Sequence, residues 1–157
     1  MTIKRDKILC LDLGSNVGWA KVCEGVVVGY GLQKFKGDIY IDFSSRLRGY
    51  YEWLRETLAD VKMVYFEEVR FSGSFSSFLQ VFGMYVGILF LLCNKYDIGY
   101  RGVSVSLIKR KFALSGDAKK EDMIKTANEL GYQVTDDNVA DAIGVAYASG
   151  EVIDVRG

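Results

Sequence analysis

The 157-residue chain has an ordinary globular composition: half of its residues are hydrophobic, a quarter are charged, the formal net charge is zero, and there is no proline. This length suits a single domain, which we expect to span residues 1–157. Because the sequence contains no histidine, it excludes Ser-His-Asp triads, Cys-His dyads and histidine-ligated zinc. Catalysis would have to rest on carboxylates, lysines, hydroxyls, tyrosines or thiols.

The first third of the chain predicts a β meander followed by a helix. Lys7–Leu13 (KILCLDL) has the apolar pattern of a buried strand. Val17–Cys23 and Val26–Gln33 predict two further strands, joined by a turn at Glu24-Gly25. In Phe43–Leu58 the apolar residues recur at helical spacing, which predicts an amphipathic helix.

The middle of the chain predicts a fourth strand and a long apolar helix. Val61–Phe66 (VKMVYF) has the strand pattern, and Phe71–Asn94 contains no charged residue. The apolar part of that segment is shorter than the roughly 20 residues that a membrane span needs, so we expect no membrane contact. A helix that is apolar all round is buried. We therefore expect one side to pack on the sheet and the other on a second subunit, as a homodimer.

The last third predicts one more strand and three helices. Ile98–Val105 fits the strand, while Ser106–Leu114 and Lys119–Leu130 fit two helices, the second with Asp117 as its N-cap. Asp136–Ser149 fits the last helix. The element order predicts an α/β fold with a five-stranded mixed sheet and helices on both faces.

Three cysteines, Cys10, Cys23 and Cys93, stand in apolar surroundings without any CxxC pattern. An odd number without such spacing is typical of reduced core residues in a reducing compartment. The apolar run near the N-terminus is short and is interrupted by Asp12, which is not typical of a signal peptide. We therefore expect a cytoplasmic protein.

Acidic residues stand where the predicted strands and the last helix begin or end. Asp12 lies inside an otherwise apolar strand, where a carboxylate is costly unless it is paired or binds a cation. Glu67 and Glu68 follow the fourth strand, and Asp137 and Asp141 lie one helical turn apart. Such positions converge at one edge of an open α/β sheet. Several carboxylates together favour Mg²⁺ or Mn²⁺, and two such ions about 4 Å apart hydrolyse a phosphodiester without histidine.

Each of these acidic residues also has a purely structural interpretation. Asp12 with Gly14 and Ser15 would suit a tight turn between strands, and one of Glu67 and Glu68 would suit an exposed strand end. The pair Asp136-Asp137 would suit the start of a helix, where negative charge is favourable. Asp141 is harder to explain in this way, because it lies on a largely apolar helix.

A basic region also has two interpretations, a solvated helix face or a nucleic-acid contact surface. Its members lie close together in the sequence: Arg101, Lys109, Arg110, Lys111, Lys119, Lys120 and Lys125.

Four segments together resemble the RuvC family of Holliday-junction resolvases, in the RNase H-like superfamily, and especially its small phage-encoded members. They are LDLGSNVGWA, VYFEEV, IKRKFALSGDAKKED and DDNVADAIGVA, which occur in the family's order over essentially the whole chain. The resemblance implies an RNase H-like fold and a homodimer that binds four-way DNA junctions. It also implies metal-dependent nicking of two strands, leaving 5′ phosphates, in the host cytoplasm if the protein is phage-encoded.

The resemblance assigns catalytic roles residue by residue. Asp12, Glu67 and Asp141 match three metal-binding carboxylates. The position of the family's fourth ligand holds Asn138; we favour its neighbour Asp137 as the ligand, with Asn138 as the alternative.

The resemblance also assigns the contacts to DNA. Lys109 and Lys120 match two lysines, eleven positions apart, that contact the scissile phosphate and support the charge developing there. Further backbone contacts would come from Arg110, Lys111 and Lys119. The position of a base-stacking aromatic residue holds Arg70, with Phe71 and Phe75 near enough to replace it; these two phenylalanines would equally suit the core.

Three other functions remain open at this point. One is a less selective nuclease that cuts flaps, replication forks or RNA–DNA hybrids. A second is a junction-binding protein with weak catalysis, suggested by Asn138. The third is a fragment of an actin-like ATPase, suggested by LDLGS; that fold needs a second domain and phosphate loop, so we expect no nucleotide cofactor.

Overall fold

The computed structural model describes residues 2–38, 40–69 and 77–157, in which five strands form one mixed sheet. The spatial order is β3-β2-β1-β4-β5. The strands are β1 (Lys7–Asp12), β2 (Asn16–Cys23), β3 (Val26–Lys34), β4 (Val61–Glu68) and β5 (Gly99–Ser104).

The helices of the described chain flank this sheet. They are α1 (Phe43–Thr57), α2 (Ser77–Tyr96), α3 (Val105–Phe112), α4 (Lys120–Glu129) and α5 (Asp137–Ala148), with a short 3-10 helix at Leu58–Asp60. The predicted α/β fold class, with five strands in a mixed sheet and helices on both faces, is confirmed.

Strand pairing sets which ends of the strands meet. β1 runs antiparallel to β2 and parallel to β4, and β4 runs parallel to β5. The carboxyl ends of β1, β4 and β5 therefore lie at one edge of the sheet, together with the start of β2. This edge holds the carboxylates that end β1 and β4, which is the usual ligand-binding position of an open α/β sheet.

Successive side chains along each strand point to opposite faces of the sheet, so the core is divided into two layers. Leu9 and Leu11 of β1 are fully buried against α1 and α2. Ile8 and Cys10 point the other way, into the layer formed with α3, α4 and α5. Asp12 continues the second series, so its side chain is directed to the face that α5 covers.

The helix α2 packs one of its sides on the sheet, as predicted. Tyr85 and Leu89 are fully buried, whereas Met84 and Leu91 are 46% and 73% exposed on the opposite side. By length and composition alone, Phe78–Tyr96 is apolar enough to cross a membrane. Its buried side, however, belongs to the same core cluster as β1, which is the packing of a core helix.

One predicted helix cap is wrong. Asp117 does not cap α4, because the N-cap is Lys119 and the helix begins at Lys120. The Asp122 side chain accepts a hydrogen bond from the Lys119 amide at 2.8 Å, while the Asp117 amide donates to Ser115 Oγ in the preceding turn. The carboxylate that satisfies the start of this helix thus comes from inside its first turn, and the helix starts later.

Other element boundaries differ by one or two residues from the prediction. The helix α3 begins one residue earlier, at Val105, and ends at Phe112. Leu114 has a φ of 59°, so it lies outside the helix. The strand β5 covers only Gly99–Ser104, because Ser104 already caps α3 by accepting a hydrogen bond from the Leu107 amide.

Candidate metal centre

Three carboxylates converge at the edge of the sheet. One oxygen from each of Asp12, Glu67 and Asp141 lies within 4.8 Å of the other two, and all three side chains are partly buried. Asp12 ends β1, Glu67 lies near the end of β4, and Asp141 lies one turn into α5. Residues from three elements far apart in sequence thus form one group of hard oxygen donors.

A glycine on β2 lets α5 come close enough to complete this group. Gly18 pairs with Asp12 across the β1–β2 ladder. A Cβ atom at Gly18 would overlap the backbone carbonyl of Asn138, in the first turn of α5. Only glycine therefore allows α5 to lie directly on β2, and this contact brings Asp141 to the end of β1. The sequence pattern alone does not reveal this role of Gly18, which lies within LDLGSNVGWA.

A second glycine brings the other two helices of this layer to α5. A Cβ atom at Gly144 would lie 2.9 Å from side-chain atoms of both Ile108 on α3 and Met123 on α4. The close packing carries the lysine-bearing helices α3 and α4 to the carboxylates.

Burial and mutual repulsion make the carboxylate cluster costly in its charged form. Burial, followed by the charges of Glu67 and Asp141, holds the pKa of Asp12 well above its usual range. Burial also raises the pKa of Asp141 to about 7, with further contributions from Glu67 and Asp137. For Glu67, burial raises the pKa and Lys109 opposes the shift. Either protons or bound cations must compensate for this negative charge.

Divalent cations with oxygen ligands fit this donor set. Carboxylate oxygens are the ligands that Mg²⁺ and Mn²⁺ prefer, and the three oxygens are close enough together for one ion to contact all of them. The acidic cluster predicted from the sequence is therefore brought together for Asp12, Glu67 and Asp141.

Among the described residues, the group of three carboxylates does not include Asp137, the predicted fourth ligand. Its side chain forms an ion pair with Lys120, Oδ2 to Nζ at 3.1 Å. Its charge still contributes to the raised pKa values of Asp12 and Asp141. Its role as a metal ligand remains a prediction.

The neighbours of Asp137 shape the start of α5. Asp136 is the N-cap, and its side chain accepts hydrogen bonds from the amides of Asn138 and Val139 at 2.8 Å and 3.3 Å. The capping interpretation of Asp136 is therefore confirmed. Asn138 places its backbone carbonyl against Gly18; its side chain as an alternative ligand remains a prediction.

Two lysines lie close to the cluster from different helices. Lys109, on α3, lowers the pKa values of Glu67 and Asp141 by its charge. Lys120, the first residue of α4, acts on Asp141 in the same direction and is 79% exposed in its pair with Asp137. If a cation bound to the carboxylates also holds an anion, the anion would therefore lie close to the positive charges of these two lysines.

The remaining predicted DNA contacts divide into two groups. Arg110, Lys111 and Lys119 are exposed at the end of α3 and before α4, on the side of the sheet that carries Asp141. Arg70, Phe71 and Phe75 lie outside the described residues, so their predicted roles stay predictions.

No protein-family profile matches the sequence, and no curated protein matches it. Solved structures do match its fold. The Thermus thermophilus RuvC structure has a TM-score of 0.73 at 16% identity, covering 92% of this chain and 93% of that chain. The same RuvC in complex with a Holliday junction substrate has a TM-score of 0.76 at 16% identity, with the same coverage. The yeast mitochondrial Holliday junction resolvase Ydc2 has a TM-score of 0.64 at 12% identity, covering 96% of this chain and 80% of that chain.

These similarities establish the class of fold. The chain has an RNase H-like α/β fold, and its arrangement of strands and helices is that of the RuvC-type structures. The likeness covers nearly the full length of both chains in the RuvC comparisons.

Proposed function

We propose that this protein is a metal-dependent endonuclease that resolves four-way DNA junctions. The observation that carries the proposal is the convergence of Asp12, Glu67 and Asp141 at the sheet edge, in a chain whose fold matches a RuvC solved with a Holliday junction substrate. Fold alone does not define chemistry, but this site supplies the carboxylates that such chemistry needs.

Asp12, Glu67 and Asp141 would hold the metal, with Asp137 or Asn138 completing its ligands. Two ions per site, Mg²⁺ or Mn²⁺, would supply an activated water and stabilise the leaving oxygen. Lys109 lies where its charge offsets that of Glu67 and Asp141, so it would orient the scissile phosphate and stabilise the charge that develops on it. Lys120 would take the same role once its side chain releases Asp137 and contacts the phosphate instead. Cleavage would leave a 5′ phosphate.

The surrounding basic residues would fix the DNA without reading its sequence. Arg110, Lys111 and Lys119 are exposed on the lysine-bearing side of the site, and phosphate contacts of this kind set register and orientation. Arg70, Phe71 and Phe75, close to Glu67 in sequence, would extend this contact surface.

Paired incision requires two copies of the site, and we propose a homodimer formed through α2. Met84 and Leu91 are exposed on its outer side, and a Cβ atom at Gly83 or Gly87 would meet nothing within 4 Å. Two glycines four residues apart let another helix approach closely, and the flanking apolar side chains gain by being covered. We also propose that residues 1–157 form a single domain and that the protein is cytoplasmic.

Strand-by-strand mapping of cuts tests the function directly. The protein is incubated with mobile and static four-way junctions, a flap, a fork and an RNA–DNA hybrid, each with Mg²⁺, Mn²⁺ or EDTA. We expect paired symmetric nicks with 5′ phosphates on the four-way junctions, only with metal. Equal cutting of flaps or hybrids would favour the less selective nuclease, and binding without nicking in either metal would favour the junction-binding protein.

A further inference from the structure

The segment that follows α5 packs against the end of α3. Residues 150–157 leave α5, and the Ile153 amide donates to the carbonyl of Gly25, in the turn between β2 and β3, at 2.8 Å. Three residues later, the Arg156 side chain contacts the last residues of α3, the helix that carries Lys109. The chemistry proposed above does not use Arg156, although its side chain is only 24% exposed.

The Arg156 guanidinium donates to two backbone carbonyls at the end of α3. Its Nη1 atom lies 2.6 Å from the carbonyl oxygen of Phe112, and its Nη2 atom lies 3.2 Å from that of Lys111. The last four carbonyls of a helix have no partner within the helix, and the helix dipole favours a positive charge at this end. Arg156 thus satisfies two of these carbonyls and supplies the favourable charge.

Two other groups hold the guanidinium in this orientation. The Asp154 carboxylate accepts hydrogen bonds from Nε and Nη2 of Arg156, at 3.0 Å and 2.9 Å. The ring centroid of Tyr147, on α5, lies 5.5 Å from Cζ of Arg156, which is within the range of a cation–π contact. All three guanidinium nitrogens are therefore hydrogen-bonded within the chain, so this arginine is not placed to bind a DNA phosphate.

The end of α3 depends on this contact because the helix is short and the turn after it is unfavourable. The helix has eight residues, which make about two turns. Leu114 follows it with a φ of 59°, a left-handed conformation that is unfavourable for residues other than glycine. Across this turn, the Lys109 carbonyl accepts hydrogen bonds from the amides of Ala113 and Ser115, at 3.0 Å and 3.4 Å. Loosening of the turn would therefore release the backbone of Lys109 itself.

Lys109 links the end of α3 to the metal centre. Burial raises the pKa values of Glu67 and Asp141, and the charge of Lys109 opposes both shifts. This lysine therefore lies close to the carboxylates that would hold the metal. The contact of Arg156 with α3 thus acts on the helix that brings a positive charge to the site.

We propose that Arg156 is a positioning residue, which holds the last turn of α3 so that Lys109 faces the carboxylates and the scissile phosphate. The inference rests on the proposed nuclease function and adds to it a residue that acts through Lys109 without touching DNA. Loss of Arg156 should therefore lower the rate of cleavage and leave the affinity for the junction unchanged.

Hydrogen exchange measured by mass spectrometry tests the contact without reference to activity. In the metal-free protein, peptides covering residues 109–116 report on the end of α3. We expect Arg156→Ala to speed exchange in these peptides, with little change in melting temperature, because Ile108 and Phe112 keep α3 in the core. Arg156→Lys should restore part of the protection, since it keeps the charge but cannot form the same fork of hydrogen bonds. Unchanged exchange at residues 109–116 in Arg156→Ala would overturn the proposal.

Arg48→Ala is the matched control for Arg156→Ala. It also removes an arginine from an ion pair, with Glu52 at 3.1 Å, but this pair is on α1 and the Arg48 side chain is 80% exposed. We expect this variant to exchange, bind and cut like the wild type. Equal changes in the two variants would show a general effect of the lost charge and would overturn the proposal.

Rate and affinity, measured separately, test the positioning role. Cleavage of a static four-way junction is measured in a single turnover at saturating protein with Mg²⁺, and binding is measured in EDTA. We expect Arg156→Ala to slow cleavage roughly ten- to a hundredfold, the usual effect of displacing a catalytic group, and Arg156→Lys to recover part of the rate. Weaker binding with an unchanged rate at saturation would instead make Arg156 a DNA contact and overturn the proposal.

A double-mutant cycle tests whether Arg156 acts through Lys109. In the Lys109→Ala background, Arg156→Ala should slow the remaining cleavage little further, because the group that it positions is gone. Equal slowing in both backgrounds would overturn the proposal. Where Lys109→Ala leaves no measurable cutting, the separation of rate from affinity decides the question.

The failure of the proposed function would be distinguishable from the failure of this inference. A wild-type protein that cuts no junction would overturn the proposed function and the catalytic role of Arg156 with it. Faster exchange at residues 109–116 in Arg156→Ala would still support the contact that holds α3.

Discussion

Asp141 gives the metal-free protein an unusual dependence on pH. Its pKa in the folded chain is raised to about 7, whereas the unfolded chain has the ordinary value near 3.8. A raised carboxyl pKa means that the folded state holds an extra proton between these values, so its contribution to stability is complete at low pH and is lost as the pH rises through about 7.

We therefore expect the melting temperature of the metal-free protein to fall between about pH 4 and about pH 7. Addition of Mg²⁺ or Mn²⁺ at the higher pH should restore it, because a ligand that binds only the folded state stabilises it. Asp141→Asn should weaken the pH dependence and reduce the metal effect, with cleavage reduced about a hundredfold or more. Differential scanning fluorimetry with and without EDTA measures both effects. A variant whose melting curve follows that of the wild type at every pH would contradict the assignment.

Gly18 makes a second prediction at the residue scale. The substitution Gly18→Ala places a methyl group where the carbonyl of Asn138 lies, so α5 must move away from β2. We expect a loss of about 1–3 kcal/mol in the free energy of unfolding, the usual cost of an overpacked contact, and a large loss of cleavage. Urea denaturation and a junction assay measure the two effects.

Gly116→Ala is the matched control for that experiment. The nearest atom to its added Cβ would be Arg110 Cγ at 3.7 Å, which is an ordinary contact. Equal stability of the Gly18→Ala and Gly116→Ala variants would show that α5 does not depend on this contact.

Among the elements, α2 carries the prediction about assembly. Its outer side presents Gly83, Met84, Gly87 and Leu91, and burying a charge in an apolar helix contact is costly. We expect Gly87→Glu to convert a dimer into a monomer in sedimentation analysis, and to replace paired nicks by single, unlinked ones. Gly116→Glu, which adds the same charge on the other layer, should remain dimeric. A wild-type protein that is monomeric at micromolar concentration would contradict the proposed interface.

Helix starts show why element boundaries were less predictable than the elements themselves. Near α4, both Asp117 and Asp122 are plausible partners for a free amide, and local sequence does not decide between them. Asp122 reaches back to the Lys119 amide, whereas Asp117 lies in the preceding turn, where its own amide donates to Ser115 Oγ. At α5 the local sequence was sufficient, since Asp136 caps the helix as predicted.

On the scale of the whole molecule, the sequence patterns predicted the sheet, its two helical layers and the carboxylates at its edge. Apolar runs ending in an acidic residue mark Asp12 and Glu67 without reference to any other part of the chain. The contact of Gly18 with α5 and the position of Phe78 over Gly14 were not predictable in this way. Each of these contacts joins residues that are distant in sequence, at a point where a glycine lets another element come close. Such contacts leave no periodic pattern in the sequence.

Because the two core layers pack on opposite faces of one sheet, we expect them to unfold together in a single cooperative transition. Trp19 and Trp53 both pack in the layer formed with α1 and α2, whereas far-ultraviolet circular dichroism reports the helices of both layers. We expect the two signals to change at the same urea concentration, as in a two-state domain of this size. Separate transitions would show that the layers unfold independently and would contradict the predicted single domain.

The direct contact between Gly18 and the first turn of α5 also bears on the order in which the protein is made. During synthesis, β1 and β2 leave the ribosome before α5, the helix that carries Asp141. The growing polypeptide would thus lack a complete set of acidic ligands until α5 has left the ribosome. A partly synthesised chain that stops before α5 would therefore lack the proposed nuclease activity.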